Sequence, residues 1–180
     1  MKGIIFNLLE DFIVEKFGEN KYEEIIASCA LQTNEPFVGP GSYPDEDFFA
    51  IYSKALEHLK IPSAEALRTF GKYCFHKLAS KYPIFIKMHN HPKDFLKSVD
   101  STIHVEVRKL YKDSETPKFT YRDPAPNKLI MEYTSKRKLC NFAEGLIEGV
   151  SEHYKIPIQC KQLQCTLNGN KVCEFDLTFG

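Results

Sequence analysis

The chain has no tryptophan, no excess of charge of either sign, no long apolar run and no C-x-x-C pair. Most of these absences exclude something. Basic and acidic side chains number 24 each, so the formal net charge is zero. With no strongly basic block either, nucleic acid is disfavoured as the main partner. No apolar stretch approaches the ~20 residues that cross a bilayer. The opening MKGIIFNLLEDFIVEKFGEN is apolar, but Asn7, Glu10 and Asp11 interrupt it where a signal peptide needs continuity, and no small-residue cleavage pattern follows. The chain therefore reads as cytoplasmic, with no membrane partner. In such a setting six cysteines are thiols or metal ligands sooner than disulfides. No phosphate loop, nucleophile–base pair or carboxylate pair resembles an active site, which argues against an enzyme. The missing tryptophan carries no functional information.

What is present is one domain's length of ordinary composition, 180 residues without internal repeat or low-complexity linker. Ile4, Ile5, Leu8, Leu9 and Phe12 make one face of a helix over 4–17. A second helix is expected from Tyr22 to Leu31. FVGPGSYPDED is a loop by its Gly and Pro content. Helices are expected from about Asp45 to Leu59, from a first-turn Pro62 to about Ala79, and, after an irregular PIFIKMHNHP, from about Lys93 to Tyr111. The pattern then changes. KFTYRD and NKLIMEYTS alternate like strands across the turn-rich DPAPN. A periodic helix spans Leu139 to Tyr154, and IPIQCKQLQCTL and KVCEFDLTF form a hairpin signalled by Asn168-Gly169. The order predicts an α+β fold, helical in front, with a small antiparallel sheet behind.

Three constellations carry candidate chemistry. Tyr133, Ser135 and Arg137 alternate in YTSKR, so on one strand they share a face, and phenol, hydroxyl and guanidinium together suit the carboxylates of a ligand. The same spacing also describes a strand face turned to water. His104 flanks the Leu96–Ile103–Val107 stripe, where it is either a satisfied core residue or a neutral metal ligand. His58, His89, His91 and His153 have polar surroundings, and His76 lies in an apolar helix without an evident partner. Finally, Cys160, Cys165 and Cys173 crowd the last stretch and Cys140 opens a helix. They are zinc ligands or buried free thiols.

Taken together, MKGIIFNLLEDFI, DSTIHVEVRKLY, the Y-x-S-x-R motif as YTSKR, and FAEGLIEG resemble the H-NOX family of haem–nitric oxide/oxygen binding domains, over nearly the whole chain. The resemblance implies a single domain over 1–180. A helical distal subdomain covers about 1–60 and a haem-ligating α/β subdomain with a four-stranded antiparallel sheet covers about 61–180, with haem b buried between them. It implies His104 as the proximal iron ligand and Tyr133, Ser135 and Arg137 as the propionate clasp. Pro117 presses on the porphyrin, and Ile5, Leu9, Cys74, Phe142 and Leu146 line the haem.

Oxygen-binding members of the family carry a tyrosine at the position of Phe142. Without that donor the expectation is a sensor that binds nitric oxide and CO and excludes oxygen. Its signal is rupture of the His104–iron bond, read by a separate partner such as a histidine kinase or a cyclic-di-GMP synthase or phosphodiesterase. Similar bacterial members hold zinc through three cysteines and a histidine. Cys140, Cys165 and Cys173 match the cysteines, but the histidine position is Gln162, with Cys160 the alternative fourth ligand. A thiol-redox or zinc-responsive regulator acting through these cysteines is the competing function.

Overall fold

A computed structural model describes residues 1–180. Its first half is helical: α1 (Gly3–Phe17), α2 (Glu19–Ala27), α3 (Asp45–Leu59), α4 (Ser63–Lys81), α5 (Pro83–Lys87) and α6 (Pro92–Ser98). A π-helical turn, Val99–Ile103, leads directly into α7 (His104–Leu110). Strands β1 (Lys118–Ala125) and β2 (Lys128–Thr134), helix α8 (Cys140–Tyr154), and strands β3 (Ile158–Gln164) and β4 (Cys173–Phe179) complete the chain. The sheet is antiparallel in the order β1-β2-β4-β3. The expected α+β architecture is the one observed.

Four local expectations are corrected. The second helix starts and stops earlier than expected, because Gly18, at φ +89°, breaks α1 from α2. PIFIKMHNHP is not wholly irregular: Pro83 opens the short α5. The helix expected over about 93–111 is interrupted. Val99-Asp100-Ser101-Thr102-Ile103 is a run of β-branched and short polar residues with weak helix preference, and it takes the wider π turn. Asn168-Gly169 does not form a two-residue hairpin turn. Thr166–Asn168 make a 3₁₀ turn ended by Gly169 at φ +88°, and the amides of Asn168 and Asn170 both donate to the Cys165 carbonyl, at 3.0 and 3.2 Å.

Two apolar clusters form the core. One gathers α1, α2, α3 and the first half of α4 around Phe6, Ile13, Phe48 and Phe70. The loop after α2 covers α1 beside the predicted face, with Phe37 stacked on Phe6 at 4.1 Å, so Phe6 is buried as well, and Ile13 is also buried. The other cluster packs α8, α6 and Phe75 of α4 onto the inner face of the sheet, where Leu129, Met131, Phe175 and Leu177 alternate with outward polar residues. The clusters meet along α4 and α8, which cross at backbone contact. A Cβ on Gly71 would lie 2.2 Å from the Phe142 carbonyl oxygen, and one on Gly145 would lie 1.9 Å from that of Arg68. Beside the crossing, Arg68 pairs with the buried Glu144 at 2.7 Å, and Glu152 receives both Lys72 and His76.

On the other side, Lys93 is buried. Its ammonium donates to the carbonyls of Ala125 and Pro126 at 2.7 and 3.0 Å and pairs with Asp123, which pins α6 to the β1–β2 turn.

Candidate haem site

The residues singled out from sequence fall into two places, one at the clasp and proximal side and one across the helical wall. Tyr133 is the last inward residue of β2 and is buried, stacked obliquely with Phe119 at 5.5 Å. Its hydroxyl accepts from the Leu139 amide at 3.2 Å. The strand ends at Thr134, so Ser135 and Arg137 do not share a strand face with it; they belong to the turn before α8. The turn nevertheless folds them back together. The Ser135 hydroxyl accepts from the Arg137 amide at 3.2 Å and lies within hydrogen-bonding reach of the Tyr133 phenol.

Arg137 is largely buried, at 15 % side-chain exposure. It donates through Nε to Asp45 Oδ2 at 2.7 Å and through a terminal nitrogen to the Glu115 carbonyl at 2.6 Å. Asp45, the first residue of α3, therefore joins the helical cluster to the sheet. Burial pushes its carboxyl up, but Arg137 and the Met1 ammonium, 2.7 Å from Oδ1, together more than offset this and hold it below the ordinary carboxylate range. The guanidinium already holds a carboxylate in a mostly buried position. Together with the phenol and hydroxyl, it is a donor set of the kind that carboxylate groups on a bound ligand need.

His104 opens α7 with its side chain only 14 % exposed. Its Nδ1 faces Asp100 Oδ1 at 3.4 Å, the Pro117 carbonyl lies within hydrogen-bonding reach of the ring, and Phe119 stacks on it with centroids 5.7 Å apart. Burial holds the imidazole below its ordinary pKa, against the opposing pull of Asp100, so the ring is neutral at pH 7. A neutral imidazole held by a carboxylate on one nitrogen is the form that ligates a metal through the other. The remaining histidines do not compete. His76 bonds Glu152 in a half-exposed position, and His91 accepts from the Lys93 amide at the start of α6.

The lining residues come together from separate elements. Ile5 and Leu9 of α1, Cys74 of α4, and Phe142 and Leu146 of α8 all belong to the helical cluster or pack against it. Phe142 meets Phe70 at 5.4 Å. Cys74 is fully buried, which pushes its thiol well up and keeps it neutral. The nearby Tyr73 turns its phenol toward Glu15 and Lys77 at the edge of α1. Chemically, an apolar wall, a neutral imidazole and a row of carboxylate donors fit a macrocycle with a metal centre and acidic substituents.

Sequence reasoning missed Asp45, Asp100 and Phe119. Asp100 was legible in principle from its i, i+4 spacing to His104. Asp45 gives no local signal, because its partner is 92 residues away.

The cysteines are all free. The thiols of Cys140, Cys165 and Cys173 are buried and lie within 4.8 Å of one another, with Cys140 and Cys165 3.6 Å apart. Tetrahedral zinc with ~2.3 Å Zn–S bonds sets sulfurs at about 3.8 Å, close to the Cys140–Cys165 separation, with the Cys173 thiol nearby. Cys165 is the more acidic of the close pair: burial raises it, but amides at Leu167 and Asn168 and the neighbouring thiols more than offset this. Cys160 does not join the trio. It sits one inward position further along β3, next to Glu144 and Arg68, so the all-thiolate alternative fails on distance. Gln162 does reach Cys140, and its buried Nε2 has no oxygen or nitrogen partner.

Comparison with known proteins agrees with this geometry. A family model described as haem-NO-binding matches residues 2–162. No curated protein sequence matches the chain. Among solved structures, the chain is similar to an H-NOX protein from Shewanella oneidensis in the Fe(II)NO state, with 29% identity, 100% of this chain and 99% of that one covered, and a TM-score of 0.93. An H-NOX from Shewanella woodyi in the Fe(II)CO state is 32% identical over 100% and 95% of the two chains, with a TM-score of 0.87. Unliganded Fe(II) H-NOX from K. algicida is 26% identical over 100% and 97%, with a TM-score of 0.89. With the model match spanning most of its length, this chain belongs to the haem-NO-binding, or H-NOX, family of haem-binding gas-sensor domains.

Proposed function

We propose that this protein is a cytoplasmic sensor, not an enzyme. In this reading it holds haem b between a distal subdomain of about residues 1–60 and an α/β subdomain of about 61–180, responds to nitric oxide and CO, and excludes oxygen. His104 is the proximal ligand, Tyr133, Ser135 and Arg137 clasp the propionates, and Ile5, Leu9, Cys74, Pro117, Phe142 and Leu146 pack on the ring. The observation that supports the reading is the largely enclosed His104 beside Pro117, stacked on a Phe119 ring that in turn packs on Tyr133 of the gathered Tyr133–Ser135–Arg137 donors.

Haem, held by His104 at its iron and by Tyr133, Ser135 and Arg137 at its propionates, would supply the ferrous iron that a diatomic gas binds. The chain's own residues supply selectivity and output. Bound oxygen needs a buried hydrogen-bond donor to stabilise its partial negative charge. Leu9, Phe142 and Leu146 have none, and the Cys74 thiol is a weak donor. Tyr73 directs its phenol elsewhere.

On the proximal side, α7 is steadied by the contacts of His104 and Asp100 with the 117–119 segment, while α6 is pinned through Lys93. Loss of the His104–iron bond when nitric oxide binds would free α7 and let the helical cluster shift against the sheet along the α4–α8 crossing and the Asp45–Arg137 pair. A separate partner, a histidine kinase or a cyclic-di-GMP synthase or phosphodiesterase, reads that shift only if it binds the two forms with different affinity. The test is the absorption spectrum of the reduced protein alone, in air and with nitric oxide. A stable oxygen complex would overturn the selectivity, and failure to take up haem would overturn the whole reading.

A second reading rests on the three convergent thiols. Zinc held by Cys140, Cys165 and Cys173, with Gln162 at the fourth corner, or redox change of the same thiols, would make the hairpin end of the sheet a separate input. Metal analysis of the reduced protein separates the two forms. Regulation of a partner by oxidant in haem-free protein is the result that would favour the thiols over the haem.

A further inference from the structure

Beyond Arg137 the surface opens into a depression of ≈ 360 Å³ whose lining contains no apolar residue. Four cations, Arg108, Lys118, Lys136 and Arg137, surround it, with four serine and threonine hydroxyls from the 114–116 and 134–135 segments and a single carboxylate, Glu115. Arg137 is already paired with Asp45, but the other three cations are poorly neutralised. Lys136 and Glu115 make a loose, exposed pair at 3.4 Å, while Arg108 spends one donor on the Thr116 hydroxyl at 2.6 Å and neither it nor Lys118 has a carboxylate partner. Like charges gathered around a concavity in a chain of zero net charge leave a local positive potential that an anion relieves.

Guanidinium and hydroxyl groups converging on one space are donors suited to phosphate oxygens. The absence of any aromatic or apolar wall gives a nucleobase nothing to stack on, so recognition falls to the phosphoryl groups themselves. Tyr133 faces the core and does not line the depression, which takes in Ser135 and Arg137 of the clasp and extends from them to Arg108, Lys118 and Lys136.

We propose that this depression binds a compact polyphosphate group, bracing α7 against the 134–137 turn. Arg108 stands one helical turn beyond His104, so an anion held there bridges the element that carries His104 to the one that carries Arg137. Because Ser135 and Arg137 are shared with the proposed clasp, binding is measured with and without haem, which separates failure of this proposal from failure of the haem reading.

The test is calorimetric titration of tripolyphosphate into the haem-loaded and haem-free protein at low ionic strength, with Lys118→Ala/Lys136→Ala as the site variant. Both lysines are exposed, so the fold is not at stake. Lys118→Arg/Lys136→Arg tests rescue, and Lys16→Ala/Lys171→Ala is a remote control of equal charge. The expected result is saturable one-site binding to both forms. The site variant weakens it at least tenfold, the arginine variant restores it, the remote pair changes it less than twofold, and it fades with added salt. Three results would overturn the proposal: no saturable binding, equal weakening by the two alanine pairs, or binding to haem-free protein alone, which would mean that the probe only occupies the clasp.

Discussion

Gly145→Ala sets two well-understood effects against each other. In the middle of α8, alanine should stabilise the helix by about 1 kcal/mol over glycine. The new methyl, however, would stand 1.9 Å from the Arg68 carbonyl oxygen, 2.7 Å from its carbon and 2.9 Å from the Lys72 nitrogen. All three are main-chain atoms of α4, so no rotamer change relieves the clash. The helices must part by about 1.5 Å to reach ordinary contact, which also stretches the Arg68–Glu144 pair and loosens Phe75 against Gly149. Overpacking costs roughly 1–3 kcal/mol, and a backbone-to-backbone clash belongs at the upper end. The net is a loss of about 2 kcal/mol. For a chain of this size that corresponds to a Tm lower by about 4–8 °C. Thermal unfolding of the haem-free wild-type and variant, followed by far-ultraviolet circular dichroism, reads this directly. A Tm equal to or above wild type would mean that α4 and α8 are not in backbone contact, and the reasoning would fail.

Four further outcomes are expected. Phe142→Tyr supplies the missing distal donor and should yield an oxygen complex visible in the spectrum of the reduced protein in air; an unchanged ferrous spectrum would show that oxygen is excluded by something else. His104→Gly with free imidazole should still bind haem while uncoupling partner regulation from gas binding, and surviving coupling would place the lever elsewhere. Arg137→Ala removes a charge-assisted clasp worth about 1.5–3 kcal/mol, so transfer of haem to an acceptor protein should speed up by roughly tenfold or more. Asp47 is buried, yet hydrogen bonds from the Thr33 hydroxyl and the amides of Gln32 and Thr33 outweigh burial and hold its carboxyl low. Its contribution to stability is therefore present above about pH 4 and lost as pH falls through the folded value. The gap between wild type and Asp47→Asn in urea unfolding should narrow as pH falls below about 4, and a gap that does not change on acidification would contradict this.

The sequence was most legible where periodicity and punctuation are local. Helices α1, α3 and α8, the strands around YTSKR and the hairpin end all follow from spacing and turn residues. The clasp motif was found for a partly mistaken reason. Strand alternation accounts for Tyr133 alone, and Ser135 and Arg137 join it because the turn before α8 doubles back, with Lys138 in the left-handed region at φ +52°. Periodicity carried the helix straight through Val99–Ile103, because a hydrophobic stripe does not register a single added residue. Asp45, which meets Arg137 across 92 residues of sequence, and the α4–α8 crossing at Gly71 and Gly145 are products of tertiary packing, and no local pattern announces them. Cys160 and Gln162 look equivalent on a strand. Only the distance along β3 separates them.

The π turn ahead of His104 absorbs one residue more than an α turn, so the helices on either side of it keep nearly the same facing. Excising one of the five should let those helices fuse into a regular spiral while the imidazole stays in the Asp100–Pro117–Phe119 nest. What the extra residue alters is the main-chain bonding just ahead of His104, where the regular i→i−4 ladder is broken. The bulge is thus a joint in the backbone and leaves the aim of the side chain untouched.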